Sequence, residues 1–146
     1  MKLTKNFDLE EFKVSGTRPD LAAKITFNEL EIYKLYVISL IHLEPLRAHL
    51  GTPIKVLSGK RTRELNAAVG GSPTSQHMAC EAVDFTCQDL RKAFDFLNSS
   101  RNSFGQLLFY FKSNKSPRFI HISLPTAKHQ GQILFNVAGK YCAQMP

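Results

Sequence analysis

Ser75-Gln76-His77-Met78-Ala79-Cys80-Glu81-Ala82-Val83-Asp84, joined later by Phe119-Ile120-His121-Ile122-Ser123, decides how this chain is read. Residues 82–86 have the composition of a strand, which would set Ala82 and Asp84 on one face and Val83 on the other. His77 lies in the loop just before it. In the second stretch His121 is flanked by Ile120 and Ile122. Strand alternation sends these two side chains to one face and the imidazole to the opposite one. A buried imidazole needs a polar partner. Two histidines and one aspartate, with His77 and Asp84 seven residues apart, form a three-donor set that suits zinc and leaves a fourth position open. An open position separates a catalytic zinc from a structural one. Each residue alone is ordinary, because a lone histidine is more often structural than metal-bound; the spacing carries the weight.

Around these stretches the chain reads as helices first and strands later. Asp8-Leu9-Glu10-Glu11 has the pattern of a capping box, in which Asp8 accepts from the third backbone N–H and Glu11 reaches back. Arg18-Pro19-Asp20 marks a turn. Asn28-Glu29-Leu30-Glu31 is a second box and opens a long helix to about His49. Leu30, Tyr33, Val37, Leu40 and Ile41, continued by Glu44, recur at helical spacing and are expected to face the core. Pro45 is expected to kink this helix near its end, because it lacks the N–H and crowds the preceding turn. His42 and His49 read as ordinary helix residues. Gly51-Thr52-Pro53 breaks the chain, and 54–57 reads as a strand. Residues 63–69 read as a short helix that Gly70-Gly71 ends in the left-handed conformation. Ser72-Pro73-Thr74-Ser75 is a loop, and 88–97 is an amphipathic helix through Leu90, Ala93, Phe94 and Leu97. Strand-like runs at 106–111, 119–124 and 132–137 close the chain. The sum is one α+β domain over residues 1–146, with N-terminal helices packed on a mainly antiparallel sheet.

A chain of 146 residues, 43 % of them apolar and 11 of them Phe, can build one core without disulfide staples. The longest apolar run, 35–43, is interrupted by Ser39 and His42 and is too short to span a bilayer. Met1-Lys2-Leu3-Thr4-Lys5-Asn6-Phe7-Asp8 carries no apolar signal segment, so no membrane partner is expected and another factor would have to release the protein to an outside target. Cys80, Cys87 and Cys142 have no regular spacing, which argues against a disulfide framework and for a reducing compartment. Each reads as a small buried hydrophobe, and Cys80 as a ligand would compete with the His/Asp pair rather than complete it. The net charge is +7, and residues 96–146 hold Arg101, Lys112, Lys115, Arg118, Lys128 and Lys140 but no Asp or Glu. A one-signed half of this kind favours a polyanionic partner, such as cell-wall polymer or nucleic acid, or serves simply as a solvated face. No Arg/aromatic array or nucleic-acid motif accompanies it, so nucleic acid is not the expected partner.

Ser58-Gly59-Lys60-Arg61-Thr62, Leu65-Asn66-Ala67-Ala68-Val69-Gly70-Gly71-Ser72, Ser75-Gln76-His77 and Ala82-Val83-Asp84 together resemble the zinc D-Ala-D-Ala carboxypeptidases and murein endopeptidases. That group includes phage endolysins and shares its fold with the Hedgehog signalling domain. The resemblance covers nearly the whole chain. Asn6-Phe7-Asp8-Leu9-Glu10-Glu11-Phe12 is similar to the family's opening, Leu43-Glu44-Pro45-Leu46-Arg47 to the end of its long helix, and Phe119-Ile120-His121-Ile122-Ser123 to its last ligand strand. The compact phage-type branch is the most similar. The resemblance implies zinc as cofactor, bound by His77, Asp84 and His121. It implies that Arg61 sits beside the metal and stabilises a developing oxyanion or holds a substrate carboxylate, a task that suits a permanently charged planar fork of donors. It places Ser75 near the substrate or in support of a neighbouring loop; local turn capping is the alternative.

Two departures from the family pattern matter. Cys80 stands where the family usually has Gly, and a Cys fits if the backbone there is not left-handed. More seriously, the family's general base is a Glu shortly before the last His ligand, at or near the position of Tyr110. No carboxylate follows Asp95, so no small shift of alignment recovers one. Three substitutes are open: Glu81, which strand alternation turns away from Asp84; His129, whose imidazole titrates near neutrality; and Tyr110, a poor base with an ordinary pKa near ~10. Losing general acid/base help costs roughly 10²- to 10⁴-fold. Two readings follow. One is a zinc-dependent peptidoglycan peptidase, phage- or prophage-encoded, present in host cytoplasm or virion and acting on the stem peptides or cross-links of the wall. The other is a non-catalytic relative, a virion or tail component that keeps fold and metal and partners other virion proteins.

Overall fold

The computed structural model describes residues 1–100 and 103–146 of the chain. Arg101, counted above in the basic half, lies outside the described residues. A 3₁₀ turn, Leu9–Phe12, opens the chain, followed by the short helix α1 (Pro19–Ala22). The long helical stretch consists of α2 (Glu29–Ile38), a π-helical turn (Ser39–Leu43) and α3 (Glu44–Leu50). Strand β1 (Ile54–Ser58), helix α4 (Arg63–Ala68), a 3₁₀ turn (Gln76–Ala79), strand β2 (Ala82–Cys87) and helix α5 (Leu90–Asn98) come next. Strands β3 (Gln106–Phe111), β4 (Pro117–Ser123), β5 (Gln132–Val137) and β6 (Lys140–Cys142) complete it. The six strands form one sheet in the order β1-β2-β4-β3-β5-β6. All neighbours are antiparallel except β3 and β5, so the α+β expectation holds with one parallel pair added. Among the described residues no helix is long and apolar enough to cross a membrane.

Both capping boxes form. Asp8 N donates to the Glu11 carboxylate at 2.8 Å, and Asn28 and Glu31 exchange bonds of 2.9 Å each. Pro45 does not simply kink the long helix. Its missing N–H coincides with a switch to π geometry, in which Glu44 N bonds Ser39 O, five residues back. Widening one turn relieves the crowding that a proline ring imposes on the turn before it.

The expected core face of this helix is corrected by the structure. Leu30, Tyr33, Leu40 and Ile41 are exposed, whereas Leu35, Ile38, Leu43 and Leu46 are fully buried. Apolar residues surround this helix on all sides, so periodicity identifies a helix without choosing its buried face. Glu44 is partly buried instead as an anchor: its carboxylate accepts from Thr4 Oγ1, Asn6 N and Asn6 Nδ2 at 2.6–2.7 Å.

The sheet has two unlike faces. Val83, Phe85, Leu107, Phe109, Ile120, Ile122 and Phe135 alternate toward the helices and form the main core with Leu35, Ile38, Leu43, Leu46, Phe94 and Leu97. The opposite face presents Asp84 directly across from His121, with Leu108 and Tyr110 on the neighbouring strand. The turn carrying His77 packs on β2 at this second face, and a satellite cluster of Leu21, Ala22, Ile25 and Leu65 joins α1 to α4. Period-two alternation therefore puts the apolar payload of β2 and β4 in the core and their two polar residues in one place.

Candidate metal centre

Asp84 and His121 are paired in register across β2 and β4, and the turn before β2 brings in His77. All three side chains are buried, and their donor atoms lie within 4.8 Å of one another. Asp84 Oδ1 is 2.8 Å from His121 Nδ1 and 3.2 Å from His77 Nε2. His77 Nδ1 is 2.7 Å from the Gly59 carbonyl, which can only accept, so this nitrogen carries the proton. In the neutral ring Nε2 then presents a lone pair to a carboxylate oxygen, a contact that needs a cation between the two. His121 Nε2, on the far side of its ring, is buried without a hydrogen-bond partner among the described residues. The atoms that converge are His77 Nε2, Asp84 Oδ1 and His121 Nδ1, a His/Asp/His donor set of the kind that holds zinc. The backbone carbonyl behind His77 is the kind of outer support that fixes a metal-binding tautomer.

The electrostatics suit a divalent cation. Burial pushes the Asp84 carboxyl upward, but the two imidazoles outweigh it and hold it well below the usual range. Burial lowers His121, with Asp84 opposing, so this ring is neutral and able to ligate. Arg61 closes the group from the other side: its Nη2 donates to Asp84 Oδ2 at 3.2 Å and its Nε to Ser58 Oγ at 3.1 Å. Asp84 is thus shared between imidazoles at one oxygen and a guanidinium at the other.

The supporting residues explain how the sequence builds this arrangement. Arg61 N bonds His77 O at 3.0 Å, stitching the 58–62 segment to the His77 turn. Lys60 holds Glu31 and Lys34 holds Glu81, at 2.6 and 2.8 Å, so α2 grips both segments. At Gly59 a Cβ would collide with the Phe12 backbone, and at Gly71 with the Asn66 side chain. Gly71 lets buried Asn66 pack close beside Arg61 while its Nδ2 donates to Ser72 O at 2.9 Å. Gly59, Ser58 and Asn66 were not singled out as functional in the sequence, although they stand inside the stretches that carry the resemblance.

The remaining candidates separate. Ser75 caps the His77 turn, accepting from His77 N at 3.3 Å, so its local capping role is realised. Glu81 is turned away and engaged by Lys34. His129 lies in the loop between β4 and β5, bonded to Thr126 and Gln132 rather than to the cluster. Tyr110 is on the site's face, but its hydroxyl pairs with Tyr141 at 3.0 Å and its ring stacks on Phe119 at 4.2 Å. Burial and Tyr141 push its pKa further up, which makes Tyr110 a donor and not a base. Cys80 is corrected outright. It adopts φ 55, the left-handed conformation that was expected to exclude a Cys, because it ends the His77 turn. Its buried thiol packs in the main core, and burial raises its pKa to about 12.

Beside Asp84 and Arg61 opens a cleft of about 320 Å³, walled by Leu57, Leu65, Val69 and Phe119 with Arg118 among its lining. A family model described as peptidase M15 matches residues 5–123. The chain belongs to the peptidase M15 family. The match spans the His77 turn, β2 and β4 and ends at Ser123, so β5 and β6 lie beyond it. M15 peptidases are zinc-dependent metallopeptidases, and the His77–Asp84–His121 group is the one among the described residues able to hold a metal ion. No curated protein matches the chain.

Proposed function

We propose that this member of the M15 family hydrolyses a peptide bond in the stem or cross-link of peptidoglycan, with zinc held by His77, Asp84 and His121. The observation that carries the reading is the convergence of His77, Asp84 and His121, whose donor atoms are buried and lie within 4.8 Å of one another. Zinc at such a place supplies Lewis-acid activation of a carbonyl and of water. Asp84 holds the two imidazoles in their ligating orientation and is itself fixed by Arg61. Arg61 lines the cleft and offers permanent positive charge where an oxyanion develops. The cleft is large enough for a short peptide and falls at the lower end of ligand-pocket sizes, ~300–1,000 Å³. The basic residues after Asp95 favour an anionic wall polymer. A phage or prophage origin accords with the resemblance to the compact branch.

A second reading has its own observation. Tyr110, where the family's Glu is expected, is tied to Tyr141, and Glu81 is tied to Lys34. A wall-binding or virion relative that keeps the metal without turnover fits that feature. Mass spectrometry of muropeptides incubated with zinc-loaded protein, with Asp84→Ala as control, separates the two. Fragments absent from the control establish the peptidase and name the bond. Intact muropeptides from folded, zinc-bound protein move the assignment to binding.

A further inference from the structure

The helical stretch from Glu29 to Leu50 keeps an apolar face in water. Eight large apolar side chains stand exposed among the described residues, and five of them lie here: Leu30, Tyr33, Tyr36, Leu40 and Ile41. Leu30 and Tyr33 are 61 % and 62 % exposed. Leu30, Tyr33, Val37 and Leu40 alternate three- and four-residue steps, the spacing of a helix-pairing seam. The next step of that spacing falls on Glu44. The π-helical turn takes up one residue more than an α-turn, so the seam resumes instead at Pro45 and Ala48, both exposed. Glu44 is turned aside to Thr4 and Asn6. The stripe is therefore continuous and uncharged.

A helix that is apolar on all sides is ordinarily covered on all sides. Leu35, Ile38, Leu43 and Leu46 cover the inner side against the sheet. The outer stripe exposes roughly 500 Å², within the ~300–600 Å² of the largest patch on a typical monomer, which is often functional. Two such stripes face to face remove about 1,000 Å², the lower bound of a specific interface before any polar rim is added. Charge selects a second copy as the occupant. The ionised groups along the stripe are spent inside the chain: Glu31 on Lys60, Lys34 on Glu81 and Glu44 on Asn6. An uncharged surface meets its own image without like-charge repulsion, whereas a charged partner finds no counter-charge on it. A helix lying on anionic lipid needs a basic border, and the exposed residue that opens α2, Glu29, is acidic.

We propose that the stripe pairs antiparallel with that of a second copy, about a two-fold axis at Val37. This half-buried valine is the smallest side chain in the middle of the seam and allows the closest approach there. The two-fold sets Tyr33 of one copy against Ile41 of the other, and Leu30 against the Pro45 turn. Antiparallel order opposes the helix dipoles, and a two-fold pairing closes on itself, so association stops at the dimer. The inner side of the helix packs on the sheet face opposite Asp84 and His121, so both metal clefts stay open. The proposal does not depend on the peptidase reading.

The test is sedimentation velocity of the full, zinc-loaded chain from micromolar to submillimolar concentration. Wild type is expected to pass from the 16.5 kDa monomer to twice that mass. Tyr33→Glu and Ile41→Lys should each weaken association at least about tenfold. Both positions are exposed, so each variant keeps the melting temperature of dilute wild type. Melting temperature should rise with protein concentration in wild type and stay level in the variants. Mixing the two variants should recover part of the association, because antiparallel order brings the new carboxylate of one against the new ammonium of the other. Wild type that stays monomeric throughout, or variants that dimerise as wild type does, overturn the proposal. A mixture that associates no better than either variant alone overturns the antiparallel order. Monomeric wild type that binds phosphatidylglycerol vesicles, with Tyr33→Glu failing to, overturns the dimer and gives the face to a lipid surface.

Discussion

The sheet face that carries the site is built in two unlike halves. On the β2–β4 side, Asp84, His77 and His121 turn their donor atoms to one buried point that suits a metal, and Arg61 holds the second oxygen of Asp84. On the β3–β6 side, Tyr110 and Tyr141 join Phe119 at the outer end of β4 in an aromatic strip whose hydroxyls satisfy each other. The first half concentrates charge in a buried place, where electrostatic interactions are strong. The second holds its protons tightly, because burial and the mutual hydrogen bond raise Tyr110 above its ordinary range. One half can bind a metal and polarise a substrate, and the other cannot accept a proton near neutral pH. The protein is therefore expected to be competent at metal and ligand binding and slow at any chemistry that needs a base.

The largest effect should come from the charged half. Asp84→Ala removes the group that Arg61 and both imidazoles share, and leaving a buried guanidinium without its partner costs about 3–5 kcal/mol. Bound zinc should fall to background by metal analysis, and the melting temperature should drop. Asp84→Asn, which keeps the shape, should also lose zinc while remaining folded. Retention of zinc by both variants under chelator competition would break the ligand assignment. The next effect addresses the aromatic half. Tyr110→Glu places a carboxylate where a base is missing, at the loss of the Phe119 stack, worth about 0.5–1.5 kcal/mol. Turnover of muropeptides should rise by roughly 10²- to 10⁴-fold, the usual value of general acid/base help. Tyr110→Phe should move it by less than about tenfold, because no proton transfer is lost. An unchanged rate in Tyr110→Glu would mean that the base lies elsewhere and that the contrast between the halves is not catalytic. Arg61→Ala follows: zinc stays bound while turnover falls by about 10²- to 10³-fold, as for the loss of an oxyanion donor. Unchanged kinetics would confine Arg61 to holding Asp84.

These contrasts were unevenly legible in the sequence. Asp84 and His121 could be assigned one face because strand alternation has a period of two and their neighbours, Val83, Ile120 and Ile122, are strongly apolar. The capping boxes at Asp8 and Asn28 were equally plain, since each rests on local hydrogen bonds. The buried face of α2 was not, because apolar residues surround that helix and only tertiary contact selects among them. Cys80 was unreadable for a different reason: whether a turn ends in left-handed geometry depends on how the chain leaves it, and here it does so with the Cys80 side chain buried. The Tyr110–Tyr141 pair joins residues 31 apart through a parallel strand pairing and the short β6, neither of which the sequence pattern announced.

The smallest effect guards the comparison against a confounding one. Any acid limb in a rate profile could arise from the site or from loss of the fold, and His42 provides a reason for the second. It is 1 % exposed at the π-helical turn, and neither ring nitrogen has a hydrogen-bond partner among the described residues. Burial lowers its pKa to about 4. In the unfolded chain the ring protonates near ~6.5. Between these values the unfolded chain binds a proton that the folded chain does not, so stability falls as pH falls through this window, by up to about 3 kcal/mol. Above pH ~6.5 both states are neutral at this position and the effect is absent. Urea titrations at several pH values should show this loss in the wild type and a flatter dependence in His42→Leu, which keeps an apolar fill at the same turn. An equal slope in the two would remove His42 as the cause. A decline in turnover that disappears in His42→Leu belongs to unfolding; one that persists belongs to the charged half of the site, where imidazoles lose their ligating lone pairs on protonation.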